Sequence, residues 1–154
     1  MNSQCPSAML EGQHREIDEG IAGIVDGRGT IPALAHSLAL LRQHLYLEEA
    51  VLFPPLEAAG LTMPIFVMQR EHGQMWPLLQ RLEAGCRAGE PVDALRAESS
   101  ELIHRLQIHN PKEEQIVYTT ADRLQGERGD TSLADALAAA EVPEGWTCAH
   151  ARRS

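Results

Sequence analysis

Cysteine is scarce in this chain of 154 residues, and its few occurrences form no recognisable pattern. Cys5, Cys86 and Cys148 are far apart in the sequence, and none of them belongs to a C-x-x-C pair. A disulfide framework needs an even set of cysteines, and a thiolate zinc site needs closely spaced pairs. We therefore expect three inert thiols in a reducing compartment.

Long apolar runs and clusters of basic residues are missing as well. No apolar stretch approaches the ~18 residues of a membrane-spanning helix. The first residues, Met1-Asn-Ser-Gln-Cys-Pro, lack the basic and apolar regions of a secretion signal. The formal net charge is -9, with acidic residues spread along the chain. These features argue against nucleic acid and anionic membranes as partners and predict a cytoplasmic protein.

Strand patterns are nearly absent, whereas apolar residues recur at the three- and four-residue spacings of amphipathic helices. Proline and glycine divide the chain into four long helical segments and a short fifth one, followed by an irregular tail from Val142. Pro54 and Pro55 are expected to end or kink the second segment. The segments span roughly 6–26, from Thr30 to about 53, from about 62 to Gly85, from Pro91 to Gly126, and roughly 131–141.

Short connections between long helices make neighbouring helices antiparallel. The sequence therefore predicts an all-α fold, an up-down-up-down antiparallel four-helix bundle with a short C-terminal helix. At this length we expect a single domain over residues 1–154. Its bundle would cover about 6–126 and its C-terminal extension about 127–154.

Two H-x-x-x-E doublets stand out among the helical segments. Residues four apart lie one turn apart on the same helix face, so each doublet aims an imidazole and a carboxylate at one point. Two further histidines lie in the apolar stripes of the other long segments. Buried carboxylates beside imidazoles need cations, and iron is prominent among the divalent metals that such donors bind. The candidate metal-binding residues are His14, His44, Glu48, His72, His109 and Glu113.

The positions of these residues relative to the turns indicate that they share one layer of the bundle. His14 and His44 are symmetric about position 29, a glycine in the first turn. The 44–48 doublet and His72 are symmetric about positions 58 to 60, and His72 and the 109–113 doublet about positions 90 to 93. Three turns place the residues at one level, which predicts convergence on a single site.

The pattern H … H-x-x-x-E … H … H-x-x-x-E resembles the hemerythrin-like, or HHE cation-binding, domain over roughly residues 8–125. The phrases L-E-E-A-V-L-F-P (47–54) and N-P-K-E-E-Q-I-V-Y (110–118) are similar to that family's sequence after each doublet. The resemblance implies a non-haem centre of two iron ions with a bridging oxo or hydroxo group, although other divalent metals remain open. It implies that the four histidines are terminal ligands and that Glu48 and Glu113 bridge the irons.

Two features depart from the simplest form of this pattern. Oxygen carriers of the family have a fifth histidine one turn after the third-helix ligand, where this chain has Trp76. We expect Trp76 to form an apolar wall beside an open iron position. Pro111 lies inside the second doublet and predicts a kink or a wide turn. That turn leaves the choice of bridge between Glu113, which fits the family spacing, and Glu114.

A ferritin-like alternative rests on two E-x-x-H pairs, Glu11 with His14 and Glu101 with His104. On a straight helix His104 points roughly 140° away from His109, so this set would leave the two doublets without a role. We therefore prefer the doublet set.

Several other side chains are candidates for supporting roles. Asp18 lies four residues after His14 and could hydrogen-bond that ligand from outside. Tyr46 and Tyr118 are either donors near the centre or packing residues, whereas His36 and His150 are expected at the surface.

These residues leave four functions open. The protein could bind or sense a small oxidant, namely dioxygen, nitric oxide or peroxide, or it could reduce and scavenge one as an enzyme. It could also store or buffer iron or another cation without turnover, or serve as a metal-free scaffold. The family's iron–sulfur-repair proteins are similar at the site but carry an additional N-terminal cysteine-bearing domain, for which Cys5-Pro6 is too short. A sensor would need a signalling partner, and a homodimer remains open.

Overall fold

The computed structural model describes residues 5–153, with side chains for residues 5–151, and every regular element in that range is helical. Residues 1–4, which we expected not to belong to a secretion signal, lie outside the described range. The elements are α1 (Pro6–Asp26), α2 (Ile31–Tyr46), π1 (Leu47–Leu52), α3 (Phe53–Ala58), α4 (Thr62–Arg87), α5 (Val92–Lys112), π2 (Glu113–Val117), α6 (Tyr118–Arg128), α7 (Ser132–Ala139) and a 3-10 turn (Ala149–Arg153).

Helix boundaries follow the local chemistry of the chain. The Thr30 hydroxyl accepts a hydrogen bond of 3.2 Å from the backbone N–H of Ala33, which caps α2, and Pro32 occupies its first turn. Gly27 ends α1 with a left-handed φ of 83°, a conformation that glycine adopts without steric cost. The predicted helix starts and stops in this region are therefore confirmed.

Pro54 and Pro55, which we expected to end or kink the second helical segment, do not end it. The helix widens into π1 and then continues as α3, with the N–H of Phe53 bonded to the carbonyl of Glu48, five residues back. A proline lacks an N–H, and its ring collides with the carbonyl four residues before it. The wider π turn changes that spacing and lets the chain continue as a helix.

The second doublet, His109 and Glu113, is followed by a similar widened turn, π2. The N–H of Tyr118 bonds to the carbonyl of Glu113, again five residues back. Pro111 lies inside α5 just before this segment. The wide turn that we expected near Pro111 is confirmed.

The four long helices pack around a common core. α1 packs on α2 and α5, and α4 packs on α5 and α2. α1 and α2 approach closely, because a Cβ added at Gly20 would lie 2.0 Å from the Ser37 hydroxyl oxygen. On each helix the candidate histidine lies between residues of two apolar clusters, one containing Leu41 and Leu79 and the other containing Leu52 and Met68. The up-down-up-down order of the helices stays a prediction.

The C-terminal tail is irregular, as predicted, but it packs on the bundle. Trp146 makes edge contacts with Trp76 and Tyr46, at ring-centre distances of 5.5 and 5.3 Å. Cys148 is fully buried in the apolar cluster beneath it. We call residues 142–151 the C-terminal strap. Within residues 5–153, no helix is long and apolar enough to cross a membrane.

Candidate metal centre

The side chains of the six candidate residues converge at the middle of the bundle, and all six are buried. Their donor atoms form two overlapping groups, and within each group the atoms lie within 4.8 Å of one another. Glu48 and Glu113 belong to both groups, so two cation positions would share them. One group contains His14, His44, Glu48 and Glu113, and the other contains Glu48, His72, His109 and Glu113.

Glu113 has the most central position. One carboxylate oxygen lies 3.1 Å from Nε2 of His14, and the other lies 3.3 Å from Nε2 of His72 and 3.0 Å from Nε2 of His109. Glu48 spans the site in the same way, with its oxygens 3.2 Å from Nε2 of His44 and 3.1 Å from Nε2 of His72. Each carboxylate therefore reaches imidazoles of both groups.

A second set of polar side chains fixes the outer nitrogen of each of the four central histidines. In each case the Nδ1–H faces a carboxylate or amide oxygen, which leaves Nε2 directed at the centre. Such outer partners fix the ring orientation and tautomer of a metal-binding histidine. The pairs are His14 with Glu114 at 2.8 Å, His44 with Gln13 at 2.7 Å, His72 with Glu49 at 2.8 Å, and His109 with Glu71 at 2.8 Å.

These four outer partners follow a simple rule in the sequence. Gln13 and Glu71 immediately precede an inward-facing histidine, and Glu49 and Glu114 immediately follow an inward-facing glutamate. Each partner bonds to a histidine of a neighbouring long helix, so the hydrogen bonds close into a ring around the bundle. Our sequence analysis missed this ring, although a polar residue beside every candidate donor was a visible signal.

Tyr118 reaches the centre directly, which the sequence left undecided between a donor role and packing. Its hydroxyl donates a hydrogen bond of 2.5 Å to Glu48 and lies 3.1 Å from a Glu113 oxygen. It also lies 3.0 and 3.2 Å from Nε2 of His14 and His44. Tyr46, by contrast, packs against Trp146.

The structure distinguishes Glu113 from Glu114. The Glu113 side chain is fully buried at the centre, whereas that of Glu114 is 35% exposed and contacts only the outer nitrogen of His14 among the four histidines. Because Glu114 accepts from the outer nitrogen of His14, the suggested hydrogen bond from His14 to Asp18 is not formed. Asp18 is half-buried, one of its oxygens has no hydrogen-bond partner among the described residues, and burial raises its pKa.

The ferritin-like set is not assembled, because His104 and Glu101 are exposed and lie outside both donor groups. His36 is exposed as predicted. The expectation of a surface position for His150 was wrong. His150 is half-buried because it packs on the glycine at position 73 of α4 and against the Phe66 ring.

Electrostatics at the centre favour imidazolium beside carboxylate. Burial lowers the pKa of His44, but the negative charges of Glu48 and Glu113 outweigh burial and raise it to about 9. The pKa values of His72 and His109 are raised for the same reason. Burial raises the pKa of Glu113, yet the facing imidazoles bring it well below its usual range. The imidazole protons thus supply the positive charge beside the two carboxylates, and metal cations could replace them.

Two buried polar atoms at the centre lack a hydrogen-bond partner within the described part of the chain. They are Oε1 of Glu48 and Nε2 of His109. Each has a close neighbour, His72 at 3.1 Å and Glu113 at 3.0 Å, but outside hydrogen-bond geometry. Unpaired buried polar atoms are costly, and a cation would satisfy both. The residues present therefore fit a metal.

A small cavity of about 80 Å³ lies against His109. Its lining residues are Glu71, Gln74, Met75, Arg105, Ile108 and His109. A wider groove of about 730 Å³ lies between α1 and α2, and its lining includes Gly20, Gly29 and Ser37. None of the six candidate residues lines it. Of these two spaces, only the smaller one touches a candidate residue, His109.

Trp76 is buried one turn after His72. Its ring contacts Trp146, and the Arg42 guanidinium lies 4.7 Å from the ring centre. Met75, its neighbour in the sequence, lines the cavity beside His109. The role of Trp76 as a wall beside an open iron position stays a prediction.

Comparison with known families gives a match over most of the chain. The family model described as "Hemerythrin HHE cation binding domain" matches residues 5–121, about three quarters of the sequence. No curated protein and no solved structure matches the chain. The matched range includes both donor groups and Tyr118.

Proposed function

Because this chain belongs to the hemerythrin HHE cation-binding family, we propose that it is a di-iron protein that binds, senses or scavenges a small oxidant. In this proposal four histidines are terminal ligands, two at each iron, and two glutamates bridge the pair. The proposed ligands are His14, His44, Glu48, His72, His109 and Glu113. We also propose that the four long helices run up-down-up-down, as in the bundle that the resemblance implies.

The single observation that carries the proposal is the pair of overlapping donor groups, with Glu48 and Glu113 common to both. Two cation positions that share two carboxylates are the arrangement expected of bridging ligands. Imidazole and carboxylate donors suit iron, and neither group contains a cysteine. A purely structural role for one buried histidine would not explain why further histidines and two glutamates are buried beside it. Nor would it explain the ring of outer partners.

The chain's own residues prepare the site for this use. The outer partners hold each Nδ1–H, so that the imidazoles present Nε2 inward before a cation arrives. The apolar clusters on both sides of the histidine layer exclude bulk water. Tyr118 holds a proton at its hydroxyl oxygen, because burial and the two carboxylates raise its pKa well above the usual value. Bound iron would supply redox chemistry and an open position for a small ligand.

The small space beside His109 supports a diatomic molecule or a peroxide as the ligand in this proposal. The cavity at His109 holds about 80 Å³, which suits a few atoms and not a metabolite. The fifth histidine of the oxygen carriers is absent, because Trp76 stands in its place. An iron that is one ligand short favours reaction over reversible oxygen storage.

A titration of the iron-loaded protein tests the proposal. Reduced protein is mixed in turn with dioxygen, nitric oxide and peroxide, and the optical spectrum and the consumption of each oxidant are followed. A stable adduct would mean binding or sensing, and repeated turnover would mean scavenging. His36→Ala and His104→Ala change exposed histidines outside the centre, so these control variants should respond to each oxidant as the unaltered protein does. Iron uptake without a response to any oxidant would contradict the oxidant function and favour storage.

A further inference from the structure

We propose that Tyr118 makes the two cation positions unequal, so that the His72/His109 position fills first and the His14/His44 position fills second. This inference rests on the proposed metal centre and concerns the order of occupation. The order would follow from the hydrogen bonds of Tyr118, which reach the histidines of one side of the centre and not those of the other.

On the His14/His44 side the polar atoms are already satisfied. The Tyr118 hydroxyl lies within 3.2 Å of Nε2 of both histidines and donates to the Glu48 oxygen on this side. It also lies 3.1 Å from the Glu113 oxygen that faces His14. A cation that binds here must replace hydrogen bonds to buried charged groups, which are among the stronger ones in proteins.

On the His72/His109 side, Nε2 of His72 hydrogen-bonds to Glu113 at 3.3 Å, but the Tyr118 hydroxyl makes no hydrogen bond to either histidine. Both unpartnered atoms of the centre, Oε1 of Glu48 and Nε2 of His109, belong to this side. The second Glu113 oxygen faces the same two histidines, at 3.3 and 3.0 Å. A cation here gains donors without breaking a hydrogen bond to Tyr118, so this position should be the tighter one.

The charges outside the centre do not decide the order. Glu49 and Glu71 stand behind the His72/His109 side, but Lys112 forms an ion pair with Glu71 and offsets its charge. Behind the other side, the carboxylate of Glu114 bonds to His14 and that of Asp18 lies close by. Counted as full charges, these groups sum to one negative charge behind the His72/His109 side and two behind the other side. They do not favour the proposed order, which rests on the hydrogen bonds of the Tyr118 hydroxyl.

Calorimetric titration of the metal-free full chain with Zn²⁺, a cation that avoids redox chemistry, tests the order. We expect one tight and one weaker equivalent per chain, with affinities that differ by roughly tenfold or more, since a hydrogen bond to a charged group must be replaced. Tyr118→Phe should tighten the weaker equivalent by a similar factor and leave the first unchanged. Tyr46→Phe, which removes a hydroxyl from a tyrosine packed on Trp146, should leave both unchanged.

Two further variants assign the equivalents without altering Tyr118. His109→Ala should abolish the tight phase, and His14→Ala should keep it and lose the weak one. A single phase of two equal equivalents in the unaltered chain, or a tight phase that survives His109→Ala, would overturn the inference. So would a visible band of the ferric protein that Tyr118→Phe removes, because the hydroxyl would then be a ligand that helps the second cation. Absence of any zinc or iron binding would instead contradict the proposed metal centre.

Discussion

Adjacent glutamates divide two tasks at this centre. In Glu48-Glu49 and in Glu113-Glu114, the first carboxylate faces the centre and the second holds the outer nitrogen of a histidine on another helix. The same carboxylate chemistry thus acts as a candidate bridge at one position and as an orienting group at the next.

This division predicts different losses for two neighbouring substitutions. Glu113→Gln removes a negative charge common to both donor groups, so we expect no more than one iron per chain. Glu114→Gln, the matched control, should keep both irons and weaken metal affinity by about 10–100-fold, the usual effect of losing an outer partner. Iron content and affinity are measured by elemental analysis and competition with a chelator. Two irons in Glu113→Gln together with loss of iron in Glu114→Gln would reverse the assignment.

Trp76 allows a test of the missing fifth histidine. The reduced protein is expected to oxidise in air without holding a long-lived oxygen adduct, because the proposed centre would leave one iron a ligand short. Trp76→His should shift the protein towards reversible oxygen binding if the helix lets the imidazole reach the centre. Cycles of oxygen exposure and removal, followed by absorption spectroscopy, measure this. Reversible oxygen binding by the unaltered protein would show that this interpretation of position 76 is wrong.

At the level of helices, the sequence predicted that each doublet comes together, but it left the role of Tyr118 undecided, because that role depends on π2. The doublet spacing of four correctly brought His44 near Glu48 and His109 near Glu113. In a straight α-helix, Tyr118 would point about 140° away from Glu113, five residues earlier. The five-residue hydrogen-bond spacing of π2 brings Tyr118 onto the same face, where its hydroxyl reaches the centre. A pattern analysis that assumes 3.6 residues per turn cannot detect this.

Whether the second helical segment ends or kinks at its prolines was left open for a related reason. The two prolines at 54 and 55 are strong local helix breakers, but the widening at π1 accommodates them and burial of Phe53 and Leu56 keeps the chain packed as α3. The outer partners were missed because hydrogen bonds between helices depend on helix rotation, which periodicity gives only coarsely. The inward-facing donors, by contrast, could be predicted from the spacing of residues along each helix alone.

The C-terminal strap gives a prediction at this scale. A Cβ at position 73 would lie 2.6 Å from the Cβ of His150, so Gly73→Ala should displace the strap. The strap donates the backbone N–H of Ala149 to Glu49, which holds His72, and displacement should therefore also weaken metal binding. Tryptophan fluorescence should change, because Trp146 would leave Trp76.

Gly126→Ala is the control for the strap prediction. Position 126 lies in helix α6, and within the described residues nothing lies within 4 Å of an added Cβ. This substitution should stabilise the protein by about 0.5–1 kcal/mol, because alanine loses less backbone entropy than glycine in a helix. Equal stability and fluorescence in both variants would mean that the strap does not depend on Gly73.

For the whole molecule, the buried charges predict how stability depends on pH when metal is absent. The pKa of His44 is raised from 6.5 to about 9, so its contribution to stability is complete below pH 6.5 and is lost as the pH rises towards 9. The pKa values of Glu48 and Glu113 are lowered from 4.5, so their contributions are present above pH 4.5 and are lost in acid. The metal-free protein should therefore be most stable between pH 4.5, where the glutamates are ionised, and pH 6.5, where His44 is still protonated.

Denaturant unfolding of the chelated protein measures this dependence. The free energy of unfolding should fall between pH 6.5 and 9, and iron-loaded protein should show a smaller fall because cations replace the protons. A metal-free protein whose stability rises over this range would contradict the protonated centre.

The most direct test of the six-residue di-iron centre is the iron content of single alanine variants, measured by elemental analysis beside the melting temperature. The unaltered chain should hold two irons and melt at a substantially lower temperature after chelation, because the metal offsets the repulsion of Glu48 and Glu113 in an apolar core. Alanine at His44, Glu48 or His109 should reduce the iron content, and alanine at His36 or His104 should not. Two irons in Glu48→Ala, or equal melting of chelated and loaded protein, would show that the metal is not held where these residues meet.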